Sequence, residues 1–133
     1  MDTPDRFASA PISQLFGFKV HPGEPGCAVV DFQVDERLHN PMGRVHGGVL
    51  TALADAAMGI AFGRTLADDQ DFATLDLHIH FMRPIRNGML QAEAKVVQRG
   101  LRIGFVECSI LDHRQRLLAK ASCSCTVLSK ELE

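Results

Sequence analysis

Asp55 is the only acid or base between His46 and Arg64. It stands in the run His46-Gly-Gly-Val-Leu-Thr-Ala-Leu-Ala-Asp55-Ala-Ala-Met-Gly-Ile-Ala-Phe-Gly63. A lone ionised carboxylate in apolar surroundings costs several kcal/mol or shifts its pKa, so such a group usually has a partner or a chemical task. The task open to it is to activate a water as general base or to attack an electrophile directly. Gly47 and Gly48 begin the same run. If the run is a helix, its first amide hydrogens lack internal acceptors and carry the positive end of the dipole. Glycines bring those donors close to a ligand; Gly48 is counted with Gly47 as part of that surface. A carbonyl oxygen becoming an oxyanion is stabilised there by roughly 2.7–4 kcal/mol per donor in known cases. The plainer alternative is that the two glycines only permit tight packing.

Spacing restricts how these parts cooperate. Gly47 and Asp55 are eight residues apart, about 12 Å along a helix axis. One small reacting group cannot touch both in a single chain. If both act on one bond, they come from different subunits, which predicts a homodimer with each site shared across the interface. Thr51, Ala52 and Gly59 flank Asp55 with little bulk, leaving room for a ligand or a neighbouring backbone.

The elements that position these residues follow from periodicity. Alanine and leucine favour helix, and Val49, Leu50, Leu53, Ala54, Ala57, Ile60 and Ala61 recur at helical spacing over 46–63. The other face is also mostly apolar, which predicts a helix surrounded by protein and a buried Asp55. Residues 1–11 read as a loose start, Ile12–Phe18 as a short helix, and 36–45 as a loop marked by Asn40-Pro41 and Gly43. Cys27–Asp35 alternates with period two, a half-buried strand. In Phe72–Met82, Leu75, Leu77, Ile79 and Phe81 alternate with Thr74, Asp76, His78 and His80. Asn87-Gly88 signals a hairpin, and Leu90–Gln98, Arg102–Leu111 and Arg116–Leu128 follow as strands before a polar tail at 129–133. The expectation is one α+β domain over 1–133, an antiparallel sheet of about five strands curled round one long helix.

Composition excludes several classes. At 133 residues the chain fits one domain with a real core. A net charge of −2 shows no basic excess for nucleic acid, and eight Phe without Trp or Tyr argue against base stacking. No apolar stretch approaches a membrane span, and the N-terminus lacks a signal-peptide layout. Cys27, Cys108, Cys123 and Cys125 do not suggest a disulfide framework. Cys123 and Cys125 continue one apolar stripe, so they read as small buried hydrophobes. These features point to a reducing, cytoplasmic setting.

Asn40, His46-Gly47-Gly48, Asp55 and Asp76-Leu-His-Ile-His-Phe-Met-Arg-Pro84 together resemble the PaaI-type branch of the hotdog-fold acyl-CoA thioesterases, over about residues 27–128. The resemblance implies a hotdog fold, a homodimer that often pairs again, and metal-free hydrolysis of acyl-coenzyme A, with no cofactor beyond the coenzyme A of the substrate. It implies that the Gly47 amide is the oxyanion donor, that Asn40 lies near the thioester carbonyl, and that Asp55 is base or nucleophile. Thr74 falls where relatives have a Ser or Thr that helps place the acid or the water. His46 belongs to the motif, either touching substrate or ordering the loop. Relatives often carry Asn where this chain has His78 and His80.

Coenzyme A brings phosphates, which suit guanidinium forks. Arg83, Arg86, Arg99 and Arg102 flank strand ends and could meet them, or could be solvated surface groups; Arg83 also begins the Arg-Pro corner. Met58, Phe62 and Met82, with a loop of the partner, are the expected pocket walls. Asp76, His78 and His80 share one strand face at a spacing that admits a divalent ion, but the resemblance assigns that face to the outer surface or a dimer–dimer contact. Two other readings compete with the thioesterase: a hotdog domain that binds acyl-CoA without hydrolysing it, as a sensor would, and a hydratase or dehydratase, whose usual His-plus-acid arrangement the Asn40–Gly47–Asp55 set does not resemble.

Overall fold

A computed structural model describes residues 5–130. The elements are α1 (Pro11–Phe16), β1 (Lys19–Val20), β2 (Cys27–Val34), α2 (Gly47–Gly63), β3 (Gln70–Phe81), β4 (Gly88–Arg99), β5 (Ile103–Leu111) and β6 (Leu117–Ser129), with a single 3-10 turn at Glu36–Leu38. One antiparallel sheet of six strands, in the order β1-β2-β4-β5-β6-β3, wraps α2, which contacts every strand from β2 to β6. The sixth strand is the two-residue β1, paired with β2 and too short for periodicity to register.

The long strands fall close to their predicted bounds, but one connection does not. Asn87-Gly88 makes no hairpin. β4 pairs with β2 and β5, while β3 pairs with β6 at the far edge. Residues 82–87 instead cross the sheet past the start of α2. The Met82 and Arg83 amides donate to the Leu118 carbonyl, Val45 N donates to the Ile85 carbonyl, and His39 Nε2 bonds the Arg86 carbonyl. Gly88 does use a positive φ of 111°, but to enter β4 rather than to close a two-residue turn.

The sheet covers one side of α2. Leu50, Leu53, Ala54, Ala57, Met58, Ile60, Ala61 and Phe62 are buried against it. The opposite stripe, including Gly48 and Asp55, is exposed, with Thr51, Ala52 and Ala56 half-buried. The burial expected of Asp55 is therefore absent in the single chain, because the curled sheet reaches only part of the way round the helix.

The start of the chain is also better tied than its polarity suggests. Residues 1–4 and 131–133 lie outside the described residues, but Asp5 to Ala10 are held by two arginines. Arg64, with a side chain only 6% exposed, bonds Asp5 Oδ2 at 2.7 Å and donates to the Cys27 and His21 carbonyls. Arg6 pairs with Asp71 at 2.9 Å and donates to the carbonyls of Ala67 and Gln70. At the other end, Ser129 still belongs to β6.

The β5–β6 turn turns on Asp112, whose side chain is buried and accepts from the Arg114 and Arg116 amides at 2.9 Å each and from Arg116 Nε at 2.7 Å. Burial pushes its carboxyl up, but these donors together hold it below the ordinary carboxylate range. The stability it contributes is complete above the unfolded value of about 3.9 and is lost as pH falls through its own lower value. Asp112→Asn should therefore lower the melting temperature at pH 7, with the gap to the native protein closing in strong acid. An equal gap at both pH values would show that the ionised carboxyl is not its source.

Cys108, Cys123 and Cys125 are buried and Cys27 is exposed; burial pushes the Cys108 thiol up to about 12. Thiolate is the reactive form, so a thiol reagent at pH 8 should titrate one cysteine rapidly in the native protein and all four after denaturation. Rapid native titration of three or more would contradict the packing of β5 and β6.

Candidate active site

The loop before α2 is built around Asn40. Its backbone N–H donates to the Arg44 carbonyl at 2.7 Å, and its side-chain Oδ1 accepts from the Met42 and Arg44 amides at 3.0 and 3.2 Å. The Nδ2 group has no protein partner among the described residues. It belongs to a residue that lines a cleft of about 330 Å³ with Arg44, Gly47, Phe81, Met82 and Arg83.

His46 caps the helix. Its Nδ1 accepts from the Gly48 amide at 2.8 Å, which puts the ring proton on Nε2, and its carbonyl accepts from Val49 N at 3.0 Å. His46 thus orders the helix start through Nδ1. The Gly48 amide is engaged by this cap, while the residue itself lines the groove beside Asp55. The Gly47 amide has no protein acceptor among the described residues. Both glycines also sit close to side chains: a Cβ on Gly47 would lie 3.0 Å from the Phe81 ring, and one on Gly48 3.0 Å from His46 Nδ1.

Further along α2, Thr74 Oγ1 donates to Asp55 Oδ1 at 3.2 Å. This contact departs from the predicted alternation of β3. Thr74 pairs with Cys125 and Asp76 with Ser124, so Leu75 is an extra residue in a bulge. Bulges re-aim side chains and are frequent beside active sites. Here the bulge puts Thr74 on the helix side, together with Leu77, Ile79 and Phe81, and leaves Leu75 57% exposed. A strict period of two would have pointed Thr74 away with Asp76. Asp55 and Thr74 share an open groove of about 440 Å³ with Gly48, Thr51, Ala52 and Leu77.

The remaining candidates divide. Met58 and Phe62, expected as pocket walls, are buried in the core of the single chain and line none of the clefts described; Met82 lines the cleft beside Asn40. Arg99 lies over the Phe62 ring at 5.1 Å, and its Nε donates to Thr65 Oγ1 at 2.9 Å and its Nη1 to the Gly100 carbonyl. It ties the β4–β5 turn to the end of α2 through Nε and Nη1. Arg83, Arg86 and Arg102 are exposed. Among the described residues no three His, Cys, Asp or Glu side chains converge as metal ligands; Asp76 Oδ1 accepts from the Ser124 amide at 2.8 Å, and His78 and His80 lie on the outer sheet face beside Glu107 and Lys120.

Sequence reasoning missed one wall near Asp55. Arg6, Phe7, Ala10, Ile12 and Ser13 meet Asp55, Ala56, Gly59, Ile60, Phe72 and Thr74 around a cavity of about 240 Å³. Phe7 caps Gly63, where a Cβ would come within 2.6 Å of its ring, and packs at 5.6 Å from Phe72. The available signal was Phe7 itself, a large apolar residue in an otherwise polar leader.

The helix start thus carries one open amide, and a carboxylate lies further along the same helix; comparison with known proteins identifies the family. The sequence pattern of the thioesterase superfamily matches residues 42–119. A 1,4-dihydroxy-2-naphthoyl-CoA hydrolase of Listeria monocytogenes is 28% identical over 119 residues, covering 90% of this chain and 97% of the relative. The fold superposes on a Haemophilus influenzae thioesterase with a TM-score of 0.86 at 23% identity, covering 95% and 88% of the two chains. It superposes on the E. coli PaaI protein from the phenylacetic acid degradation operon with a TM-score of 0.85 at 24% identity, covering 91% and 86%. The chain belongs to the thioesterase superfamily. Its architecture is the hotdog fold, and it is a thioesterase. No helix among the described residues is long and apolar enough to cross a membrane.

Proposed function

We propose that the protein hydrolyses acyl-CoA thioesters at a site completed by two copies of the chain. The observation that carries this reading is the division of the candidate groups. Gly47 and Asn40 line a cleft at the start of α2, while Asp55 and Thr74 line a separate groove on its uncovered face. Each half lacks what the other supplies. The 12-residue edge strand β3 offers unpaired backbone groups and the exposed Leu75 and Phe81, a surface suited to pairing with a second copy. Two-fold symmetry makes such pairing antiparallel. The uncovered stripes of the two helices then face each other, and the start of one helix meets the middle of the other.

In the completed site the thioester carbonyl accepts from the Gly47 N–H and from Asn40 Nδ2. The partner's Asp55 either removes a proton from water, whose oxygen attacks the carbonyl carbon, or attacks it directly to give an anhydride that water opens. In both routes the C–S bond breaks and coenzyme A leaves as thiolate, to be protonated from solvent. Thr74, donating to one carboxylate oxygen of Asp55, leaves the other free for this step. Antiparallel pairing also brings the start of one β3 to the end of its copy. Arg102, beside that start through the Val127–Arg102 hydrogen bond, and the partner's Arg83 and the partner's Arg86 would then border one site and meet the phosphates.

The test is a panel of acyl-CoAs followed by release of free thiol. Steady release that vanishes in Asp55→Ala supports hydrolysis; tight binding with no release would instead assign the chain to the acyl-CoA-binding modules.

A further inference from the structure

The cavity behind Asp55 has a feature the catalytic reading does not use. Most of its wall is apolar, with Phe7, Ala10 and Ile12 from the N-terminal segment, Ile60 from α2 and Phe72 from β3, while Arg6, Asp55 and Thr74 also line it. Ser13 interrupts the apolar part. It is 5% exposed, and its hydroxyl makes no hydrogen bond among the described residues. No side-chain polar atom closed off from solvent lacks a partner among those residues, so the hydroxyl keeps a small access, and Ser13 is one of the residues that line the cavity. A ligand that displaces water there must hydrogen-bond this hydroxyl or leave it unpaired at a cost. The wall is also rigid: Arg64 holds Asp5, Arg6 holds the 67–71 turn, and Phe7 is wedged between Gly63 and Phe72.

We propose that residues 5–13 are the specificity wall of the acyl pocket, limiting the substrate to compact acyl groups, with the Ser13 hydroxyl bonding a polar substituent on them. The proposal rests on Asp55 marking the reacting end of the substrate. An apolar cavity of about 150 Å³ accommodates a benzene ring, so about 240 Å³ holds a substituted ring or a short branched chain. A long straight chain exceeds that volume and would leave part of its length outside the cavity or displace the clamped segment. A hydrogen bond to Ser13 adds discrimination that apolar contact alone cannot supply, because a site built for a hydroxyl penalises the analogue lacking it.

The experiment compares kcat/KM for acetyl-CoA, benzoyl-CoA, its three ring-hydroxylated isomers and dodecanoyl-CoA in the native protein, Ser13→Ala and Ala10→Leu. Benzoyl-CoA should exceed dodecanoyl-CoA by about tenfold or more. Ser13→Ala should lose about tenfold on at least one hydroxybenzoyl isomer and less than about twofold on benzoyl- and acetyl-CoA. Ala10→Leu, which narrows the cavity, should depress the aryl substrates and spare acetyl-CoA. Equal turnover of dodecanoyl- and benzoyl-CoA, or a uniform effect of Ser13→Ala on all substrates, would overturn the proposal. If no thioester is cleaved, the catalytic reading fails, and calorimetric binding of the same CoA esters decides the pocket separately. Weaker binding of one hydroxylated ester in Ser13→Ala supports it, and unchanged binding of all overturns it.

Discussion

Asp55→Asn should reduce kcat by about 10²–10⁴-fold, the range expected for losing a general base, while the melting temperature stays nearly constant. The side chain is exposed in the single chain, and its hydrogen bond is the one received from Thr74. Asparagine keeps an oxygen acceptor for that hydroxyl, so little packing is disturbed and the loss reports chemistry. Thr74→Ala should have a smaller effect, because it removes an orienting bond and leaves the carboxylate. Steady-state thiol release with a saturating acyl-CoA measures both. Asp55→Asn activity within about threefold of the native value would remove Asp55 from the reaction, since no base catalysis is so weak.

Mixing two inactive variants should restore activity. Asn40→Asp keeps the Oδ1 acceptor that holds the Met42 and Arg44 amides and removes the Nδ2 donor; Asp55→Asn removes the acid. Each variant alone has both copies of its site damaged. In a mixed dimer one site collects both lesions and the other has none. Random exchange at equal amounts should therefore return roughly a quarter of native activity, as the symmetry of an isologous dimer requires. The measurement is thiol release after dissociating and reassociating the mixture. Activity no greater than the sum of the separate variants would mean that each chain carries its whole site.

The long elements were legible because their periods are clean: α2 and the four long strands lie close to where the apolar spacing puts them. Three features were not. The β3–β4 connection looked like a hairpin because Asn87-Gly88 is local turn chemistry, whereas its path is held by contacts with Leu118 and Val45 far along the chain. The facing of Thr74 was hidden because Leu75 breaks the period by one residue, and no composition marks it. The anchoring of the first residues depended on Arg6 and Arg64 finding acceptors some sixty positions away. Within the site, the residue types were readable in sequence, but the partition of amides was not: only the His46 ring in place shows that Gly48 is committed and Gly47 is open.

The extra residue in β3 sets a rule for how this strand can change. Residues before Leu75 answer to the carboxylate, and residues after it to the beginning of the helix, with opposite parity in the chain. Losing Leu75 itself would restore plain alternation with both groups still facing the helix, because Thr74 and Asp76 already pair with consecutive residues of β6. Past the bulge, losing or gaining a single position before Phe81 would preserve the ladder yet swing Phe81 out to solvent, so that stretch of β3 is constrained in count.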